Sequence, residues 1–128
     1  MRVLVDTHLL LWAAVRSRRL PKEARRLLED PRNEVLYSAA SLWEIAIKLG
    51  LRRADFQLDL VRLRPALLKM GFQELPVTGA HAEQLAALPP IHKDPFDRML
   101  VAQSLCEPLV LLTNDDVLAE YGETVRVV

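Results

Sequence analysis

Cysteine is nearly missing: Cys106 is the single one in 128 residues, so no disulfide framework braces the chain. Aromatic residues are scarce as well, 5% of a composition that is 51% hydrophobic, so aliphatic side chains must build the core. No apolar run reaches the roughly 18 residues that span a bilayer. The start "MRVLV" is too short for the apolar region of a secretory leader and carries no cleavage pattern, so no membrane and a cytoplasmic location are expected. An excess of one charge is absent too: 17 Lys+Arg balance 17 Asp+Glu, so bulk charge gives no argument for a nucleic-acid partner. The length suits one domain over residues 1–128, large enough to bury a core unaided.

What is present is an alternation of strand-like and helix-like segments. Arg2–Val5 is a short apolar run ending at Asp6, and Thr7–Ala14 is helical in pattern. Pro21 suits the first turn of a helix carried by Ala24, Leu27 and Leu28. Glu34–Tyr37 reads as a second strand, and a helix is expected from Ser38 to Leu49 with Gly50 ending it. Leu60–Met70 looks helical, with Pro65 either kinking it or marking its true start, and Gly71 closes it. Phe72–Val77 is a third strand, Thr78 caps a helix to Leu88, and Pro95–Cys106 is the next helix. Leu109–Thr113 is the most strand-like run, and Val125–Val128 is a last one. This order implies an α/β fold with a central parallel sheet flanked by helices. Such sheets bind ligands beyond the carboxyl ends of their strands, where strand order reverses.

Acids fall at those places. Asp6 follows the first strand, Asp115 follows the strand ending at Thr113, Asp97 opens the helix before that strand, and Glu44 lies early on the helix after the second strand. Each has a structural explanation. Asp6 can cap the next helix, and Asp115 or Asp116 can favour a short helix through its dipole. Glu44 can belong to a capping box with Ser41 or pair with Lys48 one turn on. That helix looks apolar around most of its circumference, with only Ser41, Glu44 and Lys48 polar, so it is expected to be largely buried, leaving Glu44 paired or facing a polar cleft. Asp94 as N-cap before Pro95 is fully explained as a helix start. Asp97 is not, because Leu100 and Val101 put it at the head of an apolar face, where a carboxylate is costly without compensation.

Several carboxylates at one sheet end repel each other, and a divalent cation removes the problem. Oxygen ligands without a cysteine or histidine cluster suit Mg²⁺ or Mn²⁺. His8, His81 and His92 show no ligand spacing and are left outside the metal's ligand set. With four acids in a pocket, the remainder carries 13 acidic against 17 basic groups, an excess of four. Arg16, Arg18, Arg19, Arg25 and Arg26 form one basic group and Lys48, Arg52 and Arg53 another, which fits a phosphodiester substrate beside ordinary surface charge.

The stretches "LVDTHLLLW", "SAASLWEIAIKLG", "LPVTGAHAEQLAALPPIHKDPFDRMLVAQS" and "LLTNDDVLAEYG" cover most of the chain in order. Together they resemble the PIN-domain family, specifically the VapC-type toxin ribonucleases of type II toxin–antitoxin pairs. The resemblance implies a Mg²⁺- or Mn²⁺-dependent endoribonuclease that hydrolyses RNA with activated water. It maps the family's acids onto Asp6, Glu44, Asp97 and Asp115, with Asp116 an alternative register for the fourth. It also implies a homodimer and a cognate antitoxin whose segment enters the cleft. Thr7, Thr113, Asp94 and Asp116 are candidates for supporting roles around the ligands; for Leu9, Leu10, Trp12, Leu49 and Leu51 core packing is the default reading and partner contact the alternative. Two other functions fit less well. One is a binding module for RNA or protein on the same fold without catalysis. The other is a phosphatase with Asp6 as nucleophile, which lacks a second aspartate two residues on. The substrate-binding residues and the RNA cut are not legible.

Overall fold

The computed structural model describes the backbone of residues 1–50 and 59–128 and the side chains of residues 1–48 and 59–128. Arg52, Arg53 and Leu51, and the side chain of Leu49, lie outside the described residues. The elements run β1 (Arg2–Val5), α1 (Thr7–Ala14), α2 (Lys22–Glu29), β2 (Glu34–Ser38), α3 (Ala39–Gly50), α4 (Leu60–Lys69), β3 (Gln73–Leu75), α5 (Gly79–Ala87), α6 (Pro95–Cys106), β4 (Val110–Thr113), a 3₁₀ helix (Asp116–Tyr121) and β5 (Val125–Val127).

All pairings are parallel and the sheet order is β3-β2-β1-β4-β5. Alternate side chains of a strand face opposite sides. Val3 and Val5 accordingly join a core with Leu9, Leu27, Ile45 and Leu67 under α1–α4, whereas Leu4 joins Leu36, Leu100, Leu111 and Leu118 under α5, α6 and the 3₁₀ helix. The chain steps outward from β1 to β2 and β3 over one face, then returns past them to β4 over the other. Right-handed crossovers require that division of helices. The order reverses between β1 and β4, so the carboxyl ends of those two strands form the crevice.

Most expected boundaries hold within a residue or two. Ser38 differs: it ends β2 instead of starting α3, and its Oγ accepts from the backbone N–H of Ala40. The third strand is trimmed to Gln73–Leu75, with Phe72 buried just before it. Pro65 is not a helix start, because α4 begins at Leu60 behind the cap Asp59. The carbonyl it leaves without a donor belongs to exposed Val61, where water can serve it. Gly71 ends α4 at φ +86°, where the N–H groups of Gly71 and Phe72 close back on Leu68 and Leu67, a turn that needs the left-handed backbone glycine tolerates. Among the described residues no helix is long and apolar enough to cross a membrane.

The larger departure is the orientation of α3. Its apolar residues Trp43 and Ile47 are 64% and 42% exposed, while Ser41 and Glu44 are buried. The expected capping box at Ser41 is absent because the helix starts earlier; the Ser41 Oγ accepts from the Thr7 hydroxyl at 2.9 Å. The polar stripe faces inward and much of the apolar surface faces outward, the reverse of a helix oriented by the hydrophobic effect alone.

Candidate metal centre

Asp6 stands where β1 gives way to α1. Its Oδ1 accepts from the Leu9 N–H at 2.8 Å as N-cap, and its Oδ2 accepts from the Thr113 hydroxyl at 2.6 Å. Thr113 ends β4, so this bond spans the crevice. Asp6 is 3% exposed; burial pushes its carboxyl upward, opposed by the Thr113 and Leu9 bonds. The capping explanation for Asp6 therefore holds, and the same side chain stands at the carboxyl ends of β1 and β4.

Glu44 is turned inward by α3. Lys48 Nζ lies 3.1 Å from its Oε2, the expected pairing one turn apart. Its Oε1 is buried with no hydrogen-bond partner among the described residues. Asp97 sits in the first turn of α6, behind the Asp94 N-cap, whose Oδ1 accepts from the N–H groups of Phe96 and Asp97. Burial raises the Asp97 carboxyl to about 7, and the charges of Asp94, Asp6 and Glu44 push in the same direction, with His92 opposing. Those charges act on Asp97 because three elements bring the acids together. Arg98 does not provide the compensation that Asp97 lacked in the sequence: its guanidinium reaches the Leu85 and Leu88 carbonyls at 3.5 and 3.4 Å.

Asp115 caps the 3₁₀ helix through Oδ1, which accepts from the Val117 N–H at 3.0 Å, and its Oδ2 meets His92 Nε2 at 2.9 Å. Asp116 is exposed at the first position of that helix. His92 is the residue that sequence spacing missed. Its Nε2 also lies 3.7 Å from Asp97, and one ligand atom from each of His92, Asp97 and Asp115 falls within 4.8 Å of the others. Its only sequence signal is its place two residues before Asp94, which spacing rules for metal ligands do not weigh.

The residues present fit a divalent cation. A buried carboxylate oxygen on Glu44 without a partner among the described residues, and a carboxyl on Asp97 raised to about 7 by burial and then by the neighbouring acids, are groups that a divalent cation would satisfy. The donors are mainly oxygen, as Mg²⁺ or Mn²⁺ prefers. Thr113 supports Asp6 directly, whereas Thr7 bonds Ser41 and tethers α1 to α3.

Leu9 and Leu10 are fully buried, in keeping with the default of core packing, and Trp12 is half-buried. The Arg16, Arg18 and Arg19 group is not at the rim of the acids: it follows the far end of α1, whose eight residues carry it about 12 Å away. A groove of about 1030 Å³ is at that same far edge, between Arg16, Leu20, Val35, Met70 and Phe72.

The family description "PIN domain" matches residues 3–124. No curated protein matches. The fold resembles VapBC2 from Rickettsia felis bound to a DNA fragment from their promoter, with a TM-score of 0.68 and 12% identity over 99% of this chain and 97% of that one. It resembles a toxin–antitoxin complex from Klebsiella pneumoniae at TM-score 0.67 and 24% identity, over 98% and 96%. A domain of a functionally unknown protein from Methanocaldococcus jannaschii superimposes at TM-score 0.61 and 15% identity, over 99% and 90%.

Proposed function

The chain belongs to the PIN domain family, and on that premise we propose that it is a VapC-type toxin, an endoribonuclease dependent on Mg²⁺ or Mn²⁺. The observation that carries the reading is Asp97: the charges of Asp6 and Glu44, on two other elements, act on it, and Glu44 Oε1 is buried with no hydrogen-bond partner among the described residues. Two solved relatives in fold are a VapBC pair and a toxin–antitoxin complex, which supports a cognate antitoxin as partner. The PIN domain is taken to occupy residues 1–128, and the setting to be cytoplasmic.

Asp6, Glu44 and Asp97 would hold the cation, with Asp115 as the fourth acid. A divalent cation there supplies Lewis acidity toward a phosphoryl oxygen and a water acidic enough to attack near neutral pH. The chain's own contribution is placement. Thr113 and the Leu9 N–H fix both Asp6 oxygens, Asp94 fixes the start of α6, and Lys48 holds one Glu44 oxygen while leaving the other open. Cleavage of structured RNA should require Mg²⁺ or Mn²⁺, stop with EDTA and return on adding metal. Cleavage that survives EDTA, or none with either metal, rejects the reading.

The homodimer would use α3. Trp43 and Ile47 lie one turn apart on its outer side, and Phe96 meets Trp43 edge-on with ring centroids 5.2 Å apart. Contiguous exposed apolar side chains mark contact surfaces. Light scattering should give twice the 14.5 kDa chain mass, and Trp43→Glu with Ile47→Glu should halve it. A monomeric wild type at micromolar concentration would contradict this interface.

A further inference from the structure

His92 belongs to neither set of residues already explained. It lies in the loop before α6, yet it contacts the segment after β4. Its backbone N–H donates to the Tyr121 hydroxyl at 2.9 Å, its Nδ1 accepts from the Asp94 N–H at 3.0 Å, and its Nε2 lies 2.9 Å from Asp115 Oδ2. The loop that presents Asp97 is thereby joined to the turn that presents Asp115.

The proton on the ring follows from these contacts. An Nδ1 that accepts a backbone N–H carries no hydrogen, so a neutral imidazole has its proton on Nε2. That Nε2–H then donates to Asp115. The arrangement decides between two roles. A direct metal ligand would need Nε2 bare, and the proton would move to Nδ1, where the Asp94 N–H already points from 3.0 Å. Two N–H groups would then oppose each other. A donor to Asp115 keeps every contact satisfied.

We infer that His92 is a positioning residue: by donating from Nε2 it sets the direction of the second Asp115 oxygen, and so makes Asp115 rather than Asp116 the fourth acid of the site. The capping bond from the Val117 N–H fixes Oδ1 only. The Asp115 side chain is 36% exposed, and without His92 its Oδ2 is free to turn to solvent. Asp116 has no comparable clamp among the described contacts. The consequence for metal binding rests on the proposed metal-nuclease reading; the hydrogen bond itself does not.

Two substitutions separate the donor from the loop contact. His92→Gln places an amide N–H near the position of Nε2 and keeps the donor to Asp115. His92→Asn places an oxygen near Nδ1 and keeps the acceptor for Asp94, but cannot reach Asp115. Titration of the full chain with Mn²⁺ by calorimetry should show His92→Asn binding about 10- to 100-fold more weakly, as for lost partners of metal-binding carboxylates, with His92→Gln close to wild type. The Asn variant combined with Asp115→Asn should be no weaker than Asp115→Asn alone. Loss in the Gln variant with retention in Asn, or equal behaviour of the two, overturns the assignment and leaves His92 as loop closure. Nitrogen-15 spectra of the imidazole in the metal-free protein supply a separate reading. An Nε2–H tautomer is expected, and an Nδ1–H tautomer overturns the inference. A wild type that binds no Mn²⁺ rejects the metal reading, while the tautomer still decides the role of His92.

Discussion

Asp97→Asn is expected to remove cleavage while raising the melting temperature of the metal-free protein at pH 8. The two effects share a cause. Loss of one carboxylate from the proposed metal site removes several kcal/mol of charge stabilisation, on the order of a 10²- to 10³-fold slower reaction. Stability moves the other way because the folded state holds the Asp97 carboxyl at about 7, above its unfolded value of 3.8. A group raised in this way binds its proton more tightly when folded. Its stabilising protonation is complete below about pH 4 and is lost as pH climbs toward 7, so the charged form penalises the fold above that range. A shift of this size is at most on the order of 4 kcal/mol at roughly 1.4 per unit. The side chain is 22% exposed, so solvent lowers this toward about 2 kcal/mol. That is roughly 5–10 °C for a domain of this length. Melting curves of both proteins in EDTA should coincide near pH 4 and separate by pH 8. Saturating Mn²⁺ should then reverse the order, because ligand at 100 times its Kd adds about 2.7 kcal/mol to the wild type alone. Identical melting of the two proteins from pH 4 to 8 would refute the electrostatic account of Asp97.

Asp6 should separate function from folding by the choice of replacement. Asp6→Asn keeps an oxygen for the Leu9 N–H and places an amide opposite the Thr113 hydroxyl, which can turn to accept from it. The fold is expected to survive while cleavage falls by about the same 10²- to 10³-fold. Asp6→Ala should lose cleavage equally but also stability. It removes the α1 N-cap, about 1 kcal/mol, and leaves the buried Thr113 hydroxyl without its acceptor, about 1–3 kcal/mol more. Cleavage rates with urea midpoints of the three proteins check this. An Asn variant that cuts at wild-type rate removes Asp6 from the site, and an Ala variant as stable as Asn removes the capping argument.

The site was legible where a residue's chemistry depended on its near neighbours along the chain. Asp94 before Pro95 reads as a cap and is one, and Asp97 three residues on reads as a carboxylate without local compensation. Glu44 and Lys48 pair as their spacing suggests. His92 was not legible because its partner Asp115 is 23 residues away in sequence and the bond exists only once β4 and the loop before α6 meet. The basic residues after α1 misled for a related reason: their charge is visible in sequence, but the direction in which α1 carries them is not.

The orientation of α3 shows the same division most sharply. Composition alone makes it an apolar helix with a thin polar stripe, and the hydrophobic effect by itself would turn that stripe outward. The parallel sheet turns it inward, because β2 delivers α3 to the carboxyl edge where Thr7 meets Ser41 and where the Glu44 charge acts on Asp97. Sequence periodicity determined most of the strands and helices and the caps Asp6, Thr78 and Asp94, and it singled out the candidate acids, since those follow from neighbours within one or two turns. Only the tertiary structure decided which helix face meets the crevice, which acid His92 contacts, and that Asp97 lies within electrostatic reach of Asp6 and Glu44. Those depend on strand order, and strand order arises from contacts between residues far apart in the chain.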